Sequence, residues 1–141
     1  MWNRKGQDCS KGFGVGVTIK LTIPLDPTGL SLNRWHSHHW SKKAQLKSEW
    51  TEAVQWIASS KHNGLPLKKP AVTLTCYFRT RHKRDKDNFS IVAKVVLDGL
   101  TRAGMIDDDN SEAIDLRPLE FDYDKRKPRV VIEIAQADEF F

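Results

Sequence analysis

With 141 residues, 39% hydrophobic and 29% charged, the chain has the size and composition of one globular domain, and disorder throughout is excluded. No apolar run approaches the ~18 residues that span a bilayer, and the N-terminus lacks the apolar core of a signal peptide, so a soluble cytoplasmic protein is expected. A net charge of +5 and a pI near 9.3 point to an anionic partner, nucleic acid before membrane, because no basic amphipathic anchor stands out.

Residues 1–14 are polar and contain glycine, which predicts a poorly ordered lead-in. Val15 to Ile23 alternates β-branched and polar residues and predicts a strand, stopped by Pro24. Pro24 to His39, with two prolines and Gly29, reads as a loop. Trp40 to about Ser60 places Leu46, Trp50, Ala53, Val54 and Ile57 near helical spacing, with Ser41 as its N-cap. Val72 to Arg79 predicts a second strand. A second helix runs from about Asp87 to Gly104, a natural left-handed C-cap. Along it Phe89, Val92, Val96, Leu100 and Ala103 share one face, and Asp87, Lys94, Asp98 and Thr101 the other. Ala113 to Asp122 and Arg129 to Ile134 then read as two antiparallel strands around the turn Asp124–Pro128. The expected fold is a two-layer α/β (α+β) domain of order β-α-β-α-β-β, a mixed sheet with two helices packed on it. It occupies residues 15–136, with 137–141 as a C-terminal tail. Cys9 and Cys76 sit in a tail and a strand, and both are expected as reduced thiols.

The chemistry is concentrated around the second helix. Asp85 and Asp87 lie where the second strand ends, and Asp107, Asp108 and Asp109 follow the helix. Acidic residues grouped in this way repel one another unless a cation joins them, and a hard divalent ion is held by such oxygen ligands. Arg79, Arg81, His82, Lys83, Arg84 and Lys86 surround the first pair, the setting for a polyanion with phosphodiester bonds. Mg²⁺ needs only one or two carboxylates per ion, keeps several waters, and activates both water and phosphoryl oxygen. Lys94, on the face of Asp87, is placed to offset charge developing on phosphate. Read as structure alone, Asp87 is an N-cap, Asp85 a partner for Arg84, the triplet a solvated loop, and Lys94 with Asp98 an i,i+4 surface pair. Other Asp-x-Asp chemistries fit less well. Aspartyl-phosphate phosphatases place the pair after an apolar strand, whereas Arg81-His82-Lys83-Arg84 precede it here.

These residues carry a resemblance. RDKDN at 84–88, then K-x-x-x-D-G-L-T-R-A-G at 94–104 and DDD at 107–109, resemble the RusA family of Holliday junction resolvases. The resemblance is close over residues 79–134 and looser over 17–56, through Leu32-Asn33-Arg34 and His39-Trp40-Ser41-Lys42. It implies a Mg²⁺-dependent homodimer, with Mn²⁺ as a substitute metal, that nicks two opposing strands of a four-way DNA junction. Carried over, the catalytic and metal-binding carboxylates fall on Asp85, Asp87 and Asp109, with Asp108 the alternative third ligand, and the functional lysine falls on Lys94. The family often has that lysine four residues after the second aspartate. Here the gap is seven, which returns to nearly the same helical face about one turn further along.

The segment Asn33 to Lys43 mixes cations, histidines and indoles. His36, His38 and His39 lack the partners of a zinc site, so a nucleic-acid surface is the better reading. Arg34, Lys42, Lys43, Arg81, Lys83, Arg84 and Lys86 are expected to meet phosphates, and Trp35 and His38 to contact bases at the surface. Trp50 and Trp56 are expected in the core. Two other functions stay open: a nuclease for other branched or single-stranded substrates, and a non-catalytic nucleic-acid-binding protein whose aspartates only shape a loop.

Overall fold

The computed structural model describes residues 17–62 and 64–136; the readings for 1–14, Cys9 and 137–141 lie outside them. Among the described residues five strands, β1 (Val17–Ile23), β2 (Ala71–Phe78), β3 (Asp115–Leu116), β4 (Glu120–Tyr123) and β5 (Arg129–Gln136), form one mixed sheet in the order β1-β5-β2, with β3 and β4 both pairing β2 on its far side. The alternation expected of the first strand is present in β1, Val17–Ile23, where Leu21 and Ile23 are buried and Thr18, Lys20 and Thr22 are exposed. In β2, Ala71–Phe78, Val72, Leu74, Cys76 and Phe78 point into the core. Burial pushes the Cys76 thiol up to about 12, so it is a packing group and not a nucleophile.

Helices cover the inward face of the sheet. The long helix α2, Trp40–Lys61, buries Trp50, Thr51, Val54 and Ala58, and α3, Ser90–Arg102, buries Val92, Val96 and Leu100 as its periodicity predicts. The two meet at Gly99, where a Cβ would stand 2.5 Å from Val54 Cβ. Only glycine lets the helices approach so closely. Gly104, at φ 77°, follows α3 in the left-handed conformation expected of it.

Four elements differ from expectation. The segment read as a loop contains a 3₁₀ turn, Pro27–Leu30, capped by Asp26, and a short helix α1, Leu32–Ser37, capped by Ser31. Polar composition hid both, because their starts are marked by side-chain caps and not by apolar periodicity. The N-cap of α2 is His39, whose Nδ1 accepts from Ser41 N–H, one residue before the expected cap Ser41. Trp56 is exposed, since the apolar face of α2 is narrower than its indole count suggests.

The last difference sets the topology. The strand read as 113–122 is two pieces, β3 (Asp115–Leu116) and β4 (Glu120–Tyr123), interrupted at Pro118. Both run parallel to β2, whereas β5, Arg129–Gln136, runs antiparallel to β1 and β2. β4 and β5 therefore flank β2 and do not form a hairpin with each other. The connection between them crosses the end of β2, where Asp124 N–H donates to Phe78 O. Asp124 Oδ1 accepts from the N–H groups of Arg126 and Lys127, and Oδ2 accepts from Arg129 Nη1 at 2.8 Å. A turn that composition reads as a hairpin is thus pinned as a crossover.

Candidate functional site

The far end of β2 carries the site. Phe78 closes the strand and meets Phe89 and Phe121 edge-on, with ring centroids 5.1 Å away in both cases. Phe89 and Phe121 are 5.4 Å apart. This aromatic trio anchors both ends of the segment between β2 and α3, and the polar residues in between are held at the surface. Asp85 caps a 3₁₀ turn, Lys86–Phe89, by accepting from Asp87 N–H at 3.1 Å. The turn sets Asp85 and Asp87 side by side in an open cleft of about 630 Å³.

The opposite wall of the cleft comes from the segment after β1: Thr28, Ser31, Leu32 and Asn33. Asn33 N–H donates to Asn88 Oδ1 at 3.3 Å, which ties α1 to the turn that bears the aspartates. Sequence reasoning named neither Asn88 nor this wall as part of the site. The available signal was the asparagine of RDKDN and the caps Asp26 and Ser31 upstream.

The basic residues divide by role. Lys83 and Arg84 line the cleft with the two aspartates. Arg84 lies 4.0 Å from the Phe78 ring centroid. It also donates to Thr80 O, His82 O and Thr80 Oγ1 at 3.0, 3.1 and 3.0 Å, so it staples the loop that delivers Asp85. Arg81 lies over the Tyr123 ring at 4.2 Å. Lys86 is exposed on the 3₁₀ turn. Outside the lining of the cleft, in and after α1, Arg34 and Lys42 are exposed and Lys43 and His38 half-buried. Trp35 is half-buried and packs on the core, not out at the surface as expected. Lys94 does not line the cleft; it pairs with Asp98 at 3.9 Å, four residues on.

Asp108 and Asp109 lie elsewhere. Asp109 lines a second cleft with Lys69, Asp115 and Leu116, at the start of β2, where Asp115 N–H donates to Pro70 O. The eight residues of β2 span about 25 Å, so the chain does not bring Asp109 to Asp85 and Asp87. Asp108 Oδ1 accepts from Asp109 N–H at 2.7 Å and Oδ2 from Asn110 Nδ2 at 3.2 Å. These bonds, the backbone one first, hold its carboxyl below the usual range and commit both of its oxygens to the loop.

Among the described residues no group of three His, Cys, Asp or Glu side chains stands close enough to hold a metal ion. The pair Asp85 and Asp87 is the donor set that fits a hard, water-rich cation such as Mg²⁺, which needs one or two carboxylates. Among the described residues no helix is long and apolar enough to cross a membrane. The sequence model of a protein family described as endodeoxyribonuclease RusA matches residues 24–135, a span that holds both clefts and the basic segment. No curated protein matches the chain.

Proposed function

Since the chain belongs to the RusA family of endodeoxyribonucleases, we propose that it is a divalent-metal-dependent nuclease that resolves four-way DNA junctions by paired nicking, in the cytoplasm and as a homodimer. The observation that carries this reading is the pairing of Asp85 and Asp87 in one open cleft beside Lys83 and Arg84, lined on its other side by Ser31, Leu32 and Asn33. Those carboxylates would hold Mg²⁺, or Mn²⁺ in its place. A cation held there lowers the pKa of water and withdraws charge from a phosphoryl oxygen.

The chain's own residues do the rest. Asp85 and Asp87 orient the attacking water. Lys83, Arg34, Lys42 and Lys43 neutralise phosphates and set the strand in place. Lys94, the lysine the family resemblance points to, would leave its pair with Asp98 to offset the charge that grows on the scissile phosphate. Arg84 keeps the loop rigid, so that Asp85 needs no reorganisation when DNA arrives.

Dimerisation gives Asp109 its place in this scheme. β2, β3 and β4 are parallel, and β3 with β4 forms an outer edge of the sheet. A twofold partner joined along that edge would run antiparallel. Its Asp109 end would then lie against the Asp85 end of the first protomer, and each site would draw a carboxylate from both copies. A symmetric dimer also offers two equivalent sites to a symmetric junction.

The test is cleavage of a synthetic four-way junction beside duplex and single-stranded controls, with and without Mg²⁺. Selective, metal-dependent nicking of the junction is expected. Asp85→Asn, Asp87→Asn and Asp109→Asn should each abolish it while leaving binding intact or tighter, because negative charge is removed near a polyanion. Mixing inactive Asp85→Asn with inactive Asp109→Asn should restore single-strand nicking, since one heterodimer site then has all its carboxylates. If the mixture stays dead while mixed dimers form, Asp109 does not act across the dimer. Metal-independent cleavage, or binding without cleavage, would sink the metal-dependent nuclease reading itself.

A further inference from the structure

Two indoles stand exposed among the described residues, Trp40 at 73% and Trp56 at 77%. Trp50 is buried and Trp35 packs on the core. A single exposed apolar side chain is ordinary by itself, so the surroundings of these two indoles decide between them. Trp40 opens α2, and no residue from Trp40 to Glu49 is buried; the first buried one is Trp50. About 15 Å of helix therefore precedes the core, with only Lys43 and Leu46 half-buried along it. From residue 27 to 48 the chain has no Asp or Glu, while it carries Arg34, Lys42, Lys43 and Lys47. Lys42 and Lys43 sit in the first turn of α2, where the helix dipole favours carboxylates over cations. Folding alone does not favour this charge order; an anionic partner does.

The arm is joined to the cleft. Asn33 lines the cleft and bonds Asn88, and only α1 and the two residues His38 and His39 lie between it and Trp40. Seven residues, part helical and part extended, reach no more than about 16 Å. A DNA strand rises 3.4 Å per nucleotide, so a strand passing from Asn33 toward Trp40 covers that reach in about five nucleotides. The His39 ring, 5.4 Å from the indole and tilted by 39°, backs it from one side.

We propose that Trp40, carried on the projecting basic arm of α2, stacks on a base unpaired at the branch point and so makes the enzyme select junction over duplex. The lysines of the arm hold the phosphates on either side, and the indole reads the one feature a continuous duplex lacks, an open π-face near the scissile bond. Trp56 lies 16 residues further along α2, on the order of 24 Å away, next to Glu52, Ser59 and Ser60, and has no such role. This inference rests on the nuclease reading above.

The experiment uses the full chain and a junction with 2-aminopurine at positions flanking the crossover, in Ca²⁺ to bind without turnover, beside a duplex of the same sequence. Wild type should change the fluorescence of the crossover base. Trp40→Ala should abolish that change and lower the ratio of junction to duplex affinity about ten-fold or more. Trp40→Phe should restore most of both, and Trp56→Ala should behave as wild type. An unchanged affinity ratio and signal in Trp40→Ala, with wild-type junction cleavage intact, would overturn the role of Trp40 and leave the nuclease reading standing. So would equal weakening of duplex and junction, or dissociation of a wild-type dimer into monomers, which would place Trp40 in generic contact or between two copies. Absence of junction binding by wild type would overturn both.

Discussion

At the scale of single residues the cleft distinguishes groups that act on substrate from groups that hold the site in shape. Arg84 belongs to the second kind, because three of its hydrogen bonds and the Phe78 ring are already engaged within the loop. The lysines are the open choice. Lys94 is the lysine the family resemblance points to, three residues beyond the usual spacing, and it is paired with Asp98, whereas Lys83 lines the cleft. Losing one donor to transition-state charge costs roughly 3 kcal/mol, a factor of about 10²–10³. Lys94→Ala is expected to lower single-turnover nicking by that factor with little change in metal affinity, and Lys83→Ala to weaken binding more than turnover. The reverse pattern in a comparison of the two variants would move the electrostatic role to Lys83.

At the scale of elements, two joints hold the frame on which the site rests. The first is the α2–α3 crossing. Gly99→Ala drives a methyl into Val54 Cβ and to 2.9 Å from Thr51 O. Neither neighbour is the free end of a flexible side chain, so α3 must shift. The expected cost is about 1–3 kcal/mol, the range of an overpacked core, read as a lower midpoint in urea unfolding with the slope unchanged. The second joint is the crossover at Asp124. Arg129 first, then the Lys127 and Arg126 N–H groups, hold the Asp124 carboxyl below its usual range. A carboxylate with a depressed folded pKa contributes stability above its ordinary value of 3.8, and that contribution is lost as pH falls through the lower folded value. Thermal unfolding from pH 6 down to pH 2 should therefore show a smaller acid-side loss in Asp124→Asn than in wild type. Equal acid slopes would mean that the crossover is held by the backbone bond to Phe78 alone.

For the whole molecule the governing fact is the distribution of charge. Lys83 and Arg84 of the loop after β2 line the cleft, Arg34 follows its Asn33 in sequence, and Asp109 lies in a second cleft at the opposite end of β2. Each phosphate neutralised on DNA binding releases counterions, so the slope of log K against log salt counts contacts. Replacing Arg34, Lys42 or Lys43 singly by Gln should reduce the magnitude of that slope by about one and weaken junction and duplex alike. Binding isotherms between low and physiological salt check this. A residue whose loss leaves the slope unchanged does not face the phosphates.

The sequence by itself determined what is local or periodic. The apolar stripe of α3 is written as Val92, Val96 and Leu100. The alternation of β2 is written as Val72, Leu74, Cys76 and Phe78, and the left-handed stop as Gly104. The Asp-x-Asp pair was legible for the same reason, since two residues of spacing and one capped turn suffice to put Asp85 and Asp87 together. The helix α1 was not legible, because its boundaries are drawn by polar caps. The neighbours of β4 and β5 were not, because a short turn fixes direction and leaves open whether a third strand lies between. Which end of β2 receives Asp109 was decided by that same choice of partner. Parallel pairing of β3 with the start of β2 carries Asp109 away from the cleft. Pairing partners are chosen by burial summed over the whole sheet, a quantity that no window of sequence contains.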